Sequence, residues 1–182
     1  MNLPNKITLI RVLLVPVFIV LFYVNIENHL TYAAIIFIIA SLTDALDGYI
    51  ARSRNLVTKF GKFMDPLADK ILVTAAFVLL VEIGKIPGWI VIIILAREFA
   101  ITGFRVIAAS EGITIAASSL GKFKTVAQLI AIILLLLDNI IFSKLNIPMD
   151  VIMLYISLVM TVLSGIDYIY KNINTLKSDN KR

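Results

Sequence analysis

Apolar residues in this chain fall in long, nearly unbroken runs, without the strict alternation of a half-buried strand. A helix crossing a bilayer needs about 20 mostly apolar residues. Six runs meet or approach that length: Ile7–Tyr23, Leu30–Tyr49, Leu67–Val81, Pro87–Ala108, Thr125–Ile141 and Met149–Ile169. The third spans only if its helix begins near Phe63 and continues to Ile83. Gly84, Pro87, Gly88, Asn146 and Pro148 mark turns between runs. No internal repeat is visible. The pattern predicts an all-α integral membrane protein with six transmembrane helices. Residues 1–174 would form a single domain and residues 175–182 a polar tail.

Composition points the same way. Of the 182 residues, 60% are hydrophobic, and the mean hydropathy is +0.97. One small water-soluble core cannot hide that much apolar surface, since soluble domains are about 45–50% apolar. A cleaved signal peptide does not fit the first run, which carries Arg11 and Pro16 and is followed by no small-residue cleavage site. Lysine and arginine placement then sets the orientation. With both termini in the cytoplasm, only Lys85 and Lys144 fall in outside loops, and the other fifteen of the 17 cations lie inside. The net charge of +5 reflects this asymmetry and contact with anionic lipid, with no nucleic-acid partner implied.

The chain contains no cysteine and one histidine, His29, in a short polar loop. Disulfides, thiolate chemistry, a histidine zinc site and a Ser-His-Asp triad are therefore excluded or strongly disfavoured. Any metal must be held by oxygen, which favours Mg2+ or Mn2+.

The oxygens are conspicuous. Asp44 and Asp47 are spaced i, i+3; Asp65 and Asp69 are spaced i, i+4. Each spacing puts its pair on one helix face. Both pairs sit at the inner ends of the second and third runs. Buried carboxylates at such density repel one another, and a divalent cation would both neutralise them and use them as ligands. The alternative is that they cap helices and pair with Arg52, Arg54, Lys62 and Lys70. Gly48 and Gly61 lie beside the acidic pairs, where a missing side chain admits a phosphate or lets helices pack closely.

The stretch DALDGYIARSRNLVTKFGKFMDPLAD resembles the signature of the CDP-alcohol phosphatidyltransferases, D-x2-D-G-x2-A-R-x8-G-x3-D-x3-D. Asp44, Asp47, Gly48, Ala51, Arg52, Gly61, Asp65 and Asp69 match at every spacing. The six-run hydropathy is similar too. The resemblance implies a metal-dependent transferase that uses CDP-diacylglycerol. It implies that Asp44, Asp47 and Asp65 ligate the metal with Asp69 close by, and that Asp69 is the general base. Gly48, Ala51, Arg52 and Gly61, with Asp47, would form the nucleotide pocket. Asn5 and Thr8, in the segment that ends at Arg11, resemble a further nucleotide element, although these residue types also cap helices. Arg97-Glu98, Arg105 and Gly121-Lys122-x-Lys124-Thr125-x-x-Gln128 resemble the members whose acceptor is glycerol 3-phosphate. Arg97, Arg105, Lys122 and Lys124 would then bind the acceptor phosphate; alternatively they meet lipid headgroups, or Arg97 and Glu98 form a structural pair.

The products would be phosphatidylglycerophosphate and CMP, formed in phospholipid biosynthesis at the cytoplasmic face of a multi-pass plasma-membrane protein. The family further implies a homodimer. Three other functions compete: the same chemistry on serine, inositol phosphate or phosphatidylglycerol; a cation transporter built on intramembrane carboxylates; and an inactive lipid-binding relative, which the intact eight-residue pattern weakens. The position of the carboxylates at the inner rim and the lack of a repeat argue against transport.

Overall fold

The computed structural model describes the backbone of residues 3–53, 59–110, 113, 115 and 118–177, and the side chains of 7–43, 67–110, 113, 115 and 118–172. All regular structure among these residues is helical. The elements are α1 (Leu3–Tyr23), α2 (His29–Ser53), α3 (Lys59–Glu82), α4 (Gly88–Ser110), α5 (Ser119–Leu136), α6 (Ile140–Ser143) and α7 (Met149–Lys177). Each of the six apolar runs has its long helix.

Three boundaries differ from expectation. Helices α2 and α3 reach Ser53 and Lys59, so the acidic pairs lie well within helices and only positions 54–58 separate the two elements. His29 opens α2 instead of lying in a loop, and its Nδ1 is 2.9 Å from the carbonyl oxygen of Phe22. The fifth run was expected to continue to Ile141, but α5 stops at Leu136. Asp138 and Asn139 turn left-handed there, at φ 52° and 54°, a conformation that short polar side chains tolerate. Asn139 also donates from Nδ2 to the Ile147 carbonyl at 2.7 Å, which holds the turn.

The core is apolar, but large apolar side chains also cover much of the surface and several polar ones are buried. Leu13, Ile92, Phe99, Val106 and Ile166 are each at least 60% exposed. Arg11, Lys124, Gln128, Ser157, Thr161 and Ser164 are no more than 4% exposed. Apolar surface on this scale suits lipid, where buried polar groups must find partners inside the bundle. By length and composition, α5 and the Met149–Asn172 part of α7 can cross a membrane, and Ile7–Tyr23 and His29–Thr43 are shorter apolar stretches.

The packing follows from these faces. Helices α1 and α2 meet through Phe18 and Phe37, ring centroids 6.0 Å apart. Helices α5 and α7 meet along a polar seam. Gln128 donates from Nε2 to Thr161 Oγ1 at 3.2 Å, and Thr161 donates to the Ser157 carbonyl at 2.6 Å. Small hydroxyl residues let membrane helices approach closely, and each interhelical hydrogen bond is worth about 0.6 kcal/mol on average. At the end assigned to the outside, Lys85 bridges to Asp138 at 2.6 Å and to the Leu135 carbonyl at 2.7 Å. Tyr23 donates to Glu82 at 2.5 Å near that end.

Candidate active site

Helices α3, α4, α5 and α7 enclose a polar cavity of about 240 Å³. Helix α3 contributes Asp69 and Lys70. Helix α4 contributes Arg97, Glu98, Ile101, Thr102 and Arg105. These five recur every three to four residues and so form a single stripe along the helix. Helix α5 contributes Lys122, Lys124 and Thr125 from its first two turns. Ser118 caps that helix by accepting from Gly121 N at 3.1 Å. A Cβ at Gly121 would lie 3.3 Å from the Ser118 hydroxyl, so glycine keeps the cap uncrowded. Tyr168 of α7 completes the wall.

Five cations and two carboxylates line this cavity among the described residues, and they are not equivalent. Glu98 Oε1 accepts from Lys124 Nζ and, at 3.2 Å, from Arg97 Nη1. Arg97 Nη2 donates to Ser164 Oγ at 3.1 Å. Its stem lies across α7 at Gly165, where a Cβ would meet Arg97 Cγ at 3.0 Å. Arg97 is thus clamped by α7 on one side and by Glu98 on the other. Lys70 donates to Thr102 Oγ1. Asp69 lies within electrostatic reach of Lys70 and Lys124. Arg105 and Lys122 have no carboxylate partner among the described residues. Arg97 and Glu98 pair with each other, and both line the cavity.

The profile of the CDP-alcohol phosphatidyltransferase family matches residues 1–163. The chain belongs to that family. It is 47% identical to a CDP-diacylglycerol–glycerol-3-phosphate 3-phosphatidyltransferase of Bacillus subtilis, over 98% of this chain and 99% of the relative. It is 40% identical to a Haemophilus influenzae protein of the same name, over 92% and 91% of the two chains. A Mycobacterium tuberculosis protein called a probable phosphatidylglycerophosphate synthase is 36% identical, over 92% of this chain and 80% of the relative.

Membership makes this chain a transferase, and its signature residues divide by what the structure describes. The four expected acceptor-side cations, Arg97, Arg105, Lys122 and Lys124, all line the one cavity with Asp69. Thr8 is buried and has polar or electrostatic partners within the protein, as does Arg11. The side chains of Asn5, Asp44, Asp47, Gly48, Ala51, Arg52, Gly61 and Asp65 lie outside the described residues. Their helical backbones are described; among the described residues no group of three or more His, Cys, Asp or Glu side chains could hold a metal ion. Helix α2 runs unbroken through Asp44 and Asp47, and α3 through Asp65 and Asp69. The two helices pack on each other. Each acidic pair therefore keeps the helical spacing that puts it on one face, and the donors are all hard oxygens. Lys70, Glu98, Ser164 and Tyr168 were not assigned to the site from sequence. Glu98 had a usable signal, a carboxylate inside an apolar run. Ser164 and Tyr168 had none, because their partners are 67 and 63 residues away.

Proposed function

We propose that the protein transfers the phosphatidyl group of CDP-diacylglycerol to glycerol 3-phosphate, giving phosphatidylglycerophosphate and CMP in phospholipid biosynthesis. The observation that carries this reading is the cavity in which Asp69 shares walls with Arg97, Arg105, Lys122 and Lys124. A phosphate monoester needs such a cationic pocket beside the general base, and serine or phosphatidylglycerol does not. The surplus of positive charge also disfavours a cation pathway. The names of the relatives agree with this acceptor.

In the proposed mechanism, Arg105, Lys122 and Lys124 hold the acceptor phosphate. Asp69 takes the proton from the acceptor's primary hydroxyl. That oxygen forms a bond to the phosphorus bearing diacylglycerol, and the bond from phosphorus to the CMP oxygen breaks with its electron pair. Asp44, Asp47, Asp65 and Asp69 would hold a divalent cation, Mg2+ or Mn2+, which would supply charge stabilisation at the pyrophosphate. Asn5, Thr8, Asp47, Gly48, Ala51, Arg52 and Gly61 would bind the nucleotide. Positioning and electrostatics then carry most of the rate.

The same proposal covers the cellular setting. Residues 1–174 form one catalytic domain of six membrane-crossing helices in the plasma membrane, and residues 175–182 a cytoplasmic tail. Both termini and the active site face the cytoplasm, lipid covers the apolar faces, and two copies associate. The placement of fifteen of 17 cations inside supports the orientation.

The test is an acceptor screen. Purified protein with radiolabelled CDP-diacylglycerol is expected to label lipid with glycerol 3-phosphate and to leave serine, inositol phosphate and phosphatidylglycerol nearly unreacted. Transfer to serine at an equal rate would reject this acceptor.

A further inference from the structure

The two arginines of α4 do different work, and α7 makes the difference. The guanidinium of Arg97 is committed: Nη1 to Glu98, Nη2 to Ser164, and the stem wedged against Gly165. Arg105 is engaged differently. Its Nε donates to the Tyr168 hydroxyl at 3.1 Å, and its guanidinium carbon lies 5.2 Å from the Tyr168 ring centroid. No hydrogen bond from either Nη of Arg105 is found among the described residues. A guanidinium held at Nε over a ring keeps its outer pair of nitrogens available. That is the fork by which arginine grips a phosphate with two bonds.

Tyr168 is itself fixed. It is 2% exposed, and Phe104 packs edge-on against it, centroids 5.8 Å apart and planes at 83°. Phe104 is the neighbour of Arg105 on α4, so the tyrosine is braced by the same turn that it orients. Tyr168 also borders the same cavity as Asp69 and Lys122.

We propose that Tyr168 is a positioning residue that aims Arg105 at the phosphate of the anionic acceptor, so that α7 sets acceptor affinity. The inference rests on the acceptor reading above and adds to it a residue from outside the family signature. Tyr168 touches no reacting atom. Its hydroxyl occupies the Nε donor, and its ring restricts the swing of a long side chain that would otherwise lose rotamer freedom on binding.

Steady-state kinetics of Tyr168→Phe test it. Phenylalanine keeps the ring, its packing on Phe104 and its contact with the guanidinium, and removes only the hydroxyl. The KM for glycerol 3-phosphate is expected to rise about five- to ten-fold, as for loss of one hydrogen bond of typical net strength. The KM for CDP-diacylglycerol and kcat are expected to stay within about two-fold, the pattern of lost uniform binding. In an Arg105→Ala background, Tyr168→Phe is expected to add nothing, because its effect passes through the arginine. An unchanged acceptor KM in Tyr168→Phe, or an equal effect with and without Arg105, would overturn the proposal. Wild-type protein that fails to use glycerol 3-phosphate would instead overturn the acceptor assignment. Thermal unfolding in detergent separates both outcomes from misfolding, since Tyr168→Phe should retain the wild-type transition.

Discussion

Asp69→Asn is expected to cut turnover by about 10²- to 10⁴-fold, the range for removing a general base. The substitution conserves volume and leaves an amide that cannot accept the hydroxyl proton at neutral pH. Its second effect has the opposite sign. Asp69 lines the same cavity as Lys70 and Lys124, so loss of its charge leaves the cavity more positive. Acceptor binding should therefore be unchanged or tighter while kcat collapses. Initial rates across glycerol 3-phosphate concentrations read both quantities, and stabilisation by CDP-diacylglycerol against thermal unfolding reads donor binding. Near-wild-type turnover in Asp69→Asn would move the base elsewhere. A raised acceptor KM with unchanged kcat would make Asp69 a binding group.

Excess EDTA is expected to bring turnover to background, and addition of Mg2+ or Mn2+ to restore it. The physical reason is the carboxylate cluster. A charge within a membrane helix is costly, and Asp44, Asp47, Asp65 and Asp69 would also repel one another where the proposal brings them together on α2 and α3, two helices in contact. A ligand that binds the folded protein alone stabilises it by mass action, about 2.7 kcal/mol at a hundred times its dissociation constant. The thermal midpoint in detergent should therefore rise with added cation in wild-type protein and not in Asp44→Asn/Asp47→Asn. Undiminished turnover in EDTA, with no shift in the midpoint, would remove the cation from the account.

Much of the fold was legible because lipid imposes one rule, that apolar runs of sufficient length become helices. The rule fails where polar residues decide. Leu137, Ile140 and Ile141 continue the fifth run by hydropathy, yet Asp138 and Asn139 between them take the left-handed conformation and end α5 at Leu136. Hydropathy also ends the second run at Tyr49, although the residues to Ser53 remain helical. Arginine and serine there lower hydropathy without breaking a helix.

Part of the cavity's lining was legible where charge stands against an apolar background. Arg97, Glu98 and Arg105 interrupt an apolar helix, and the cations of α5 cluster at its start; all of them line the cavity. The contribution of α7 was not legible. Gly165, Ser164 and Tyr168 are unremarkable residues for a membrane helix, where small residues pack and aromatics sit near the interface. Their roles arise only when α4 lies against α7, so that one glycine admits the stem of Arg97 and one tyrosine meets Nε of Arg105.

The most direct measurement is the anomalous scattering of Mn2+ in crystals grown with CDP-diacylglycerol. The expected result is a peak ligated by carboxylate oxygens of Asp44, Asp47 and Asp65, with Asp69 beside it at the edge of the cationic cavity. Asp44 and Asp47 turned away from Asp65 and Asp69, with no manganese between them, would contradict the account.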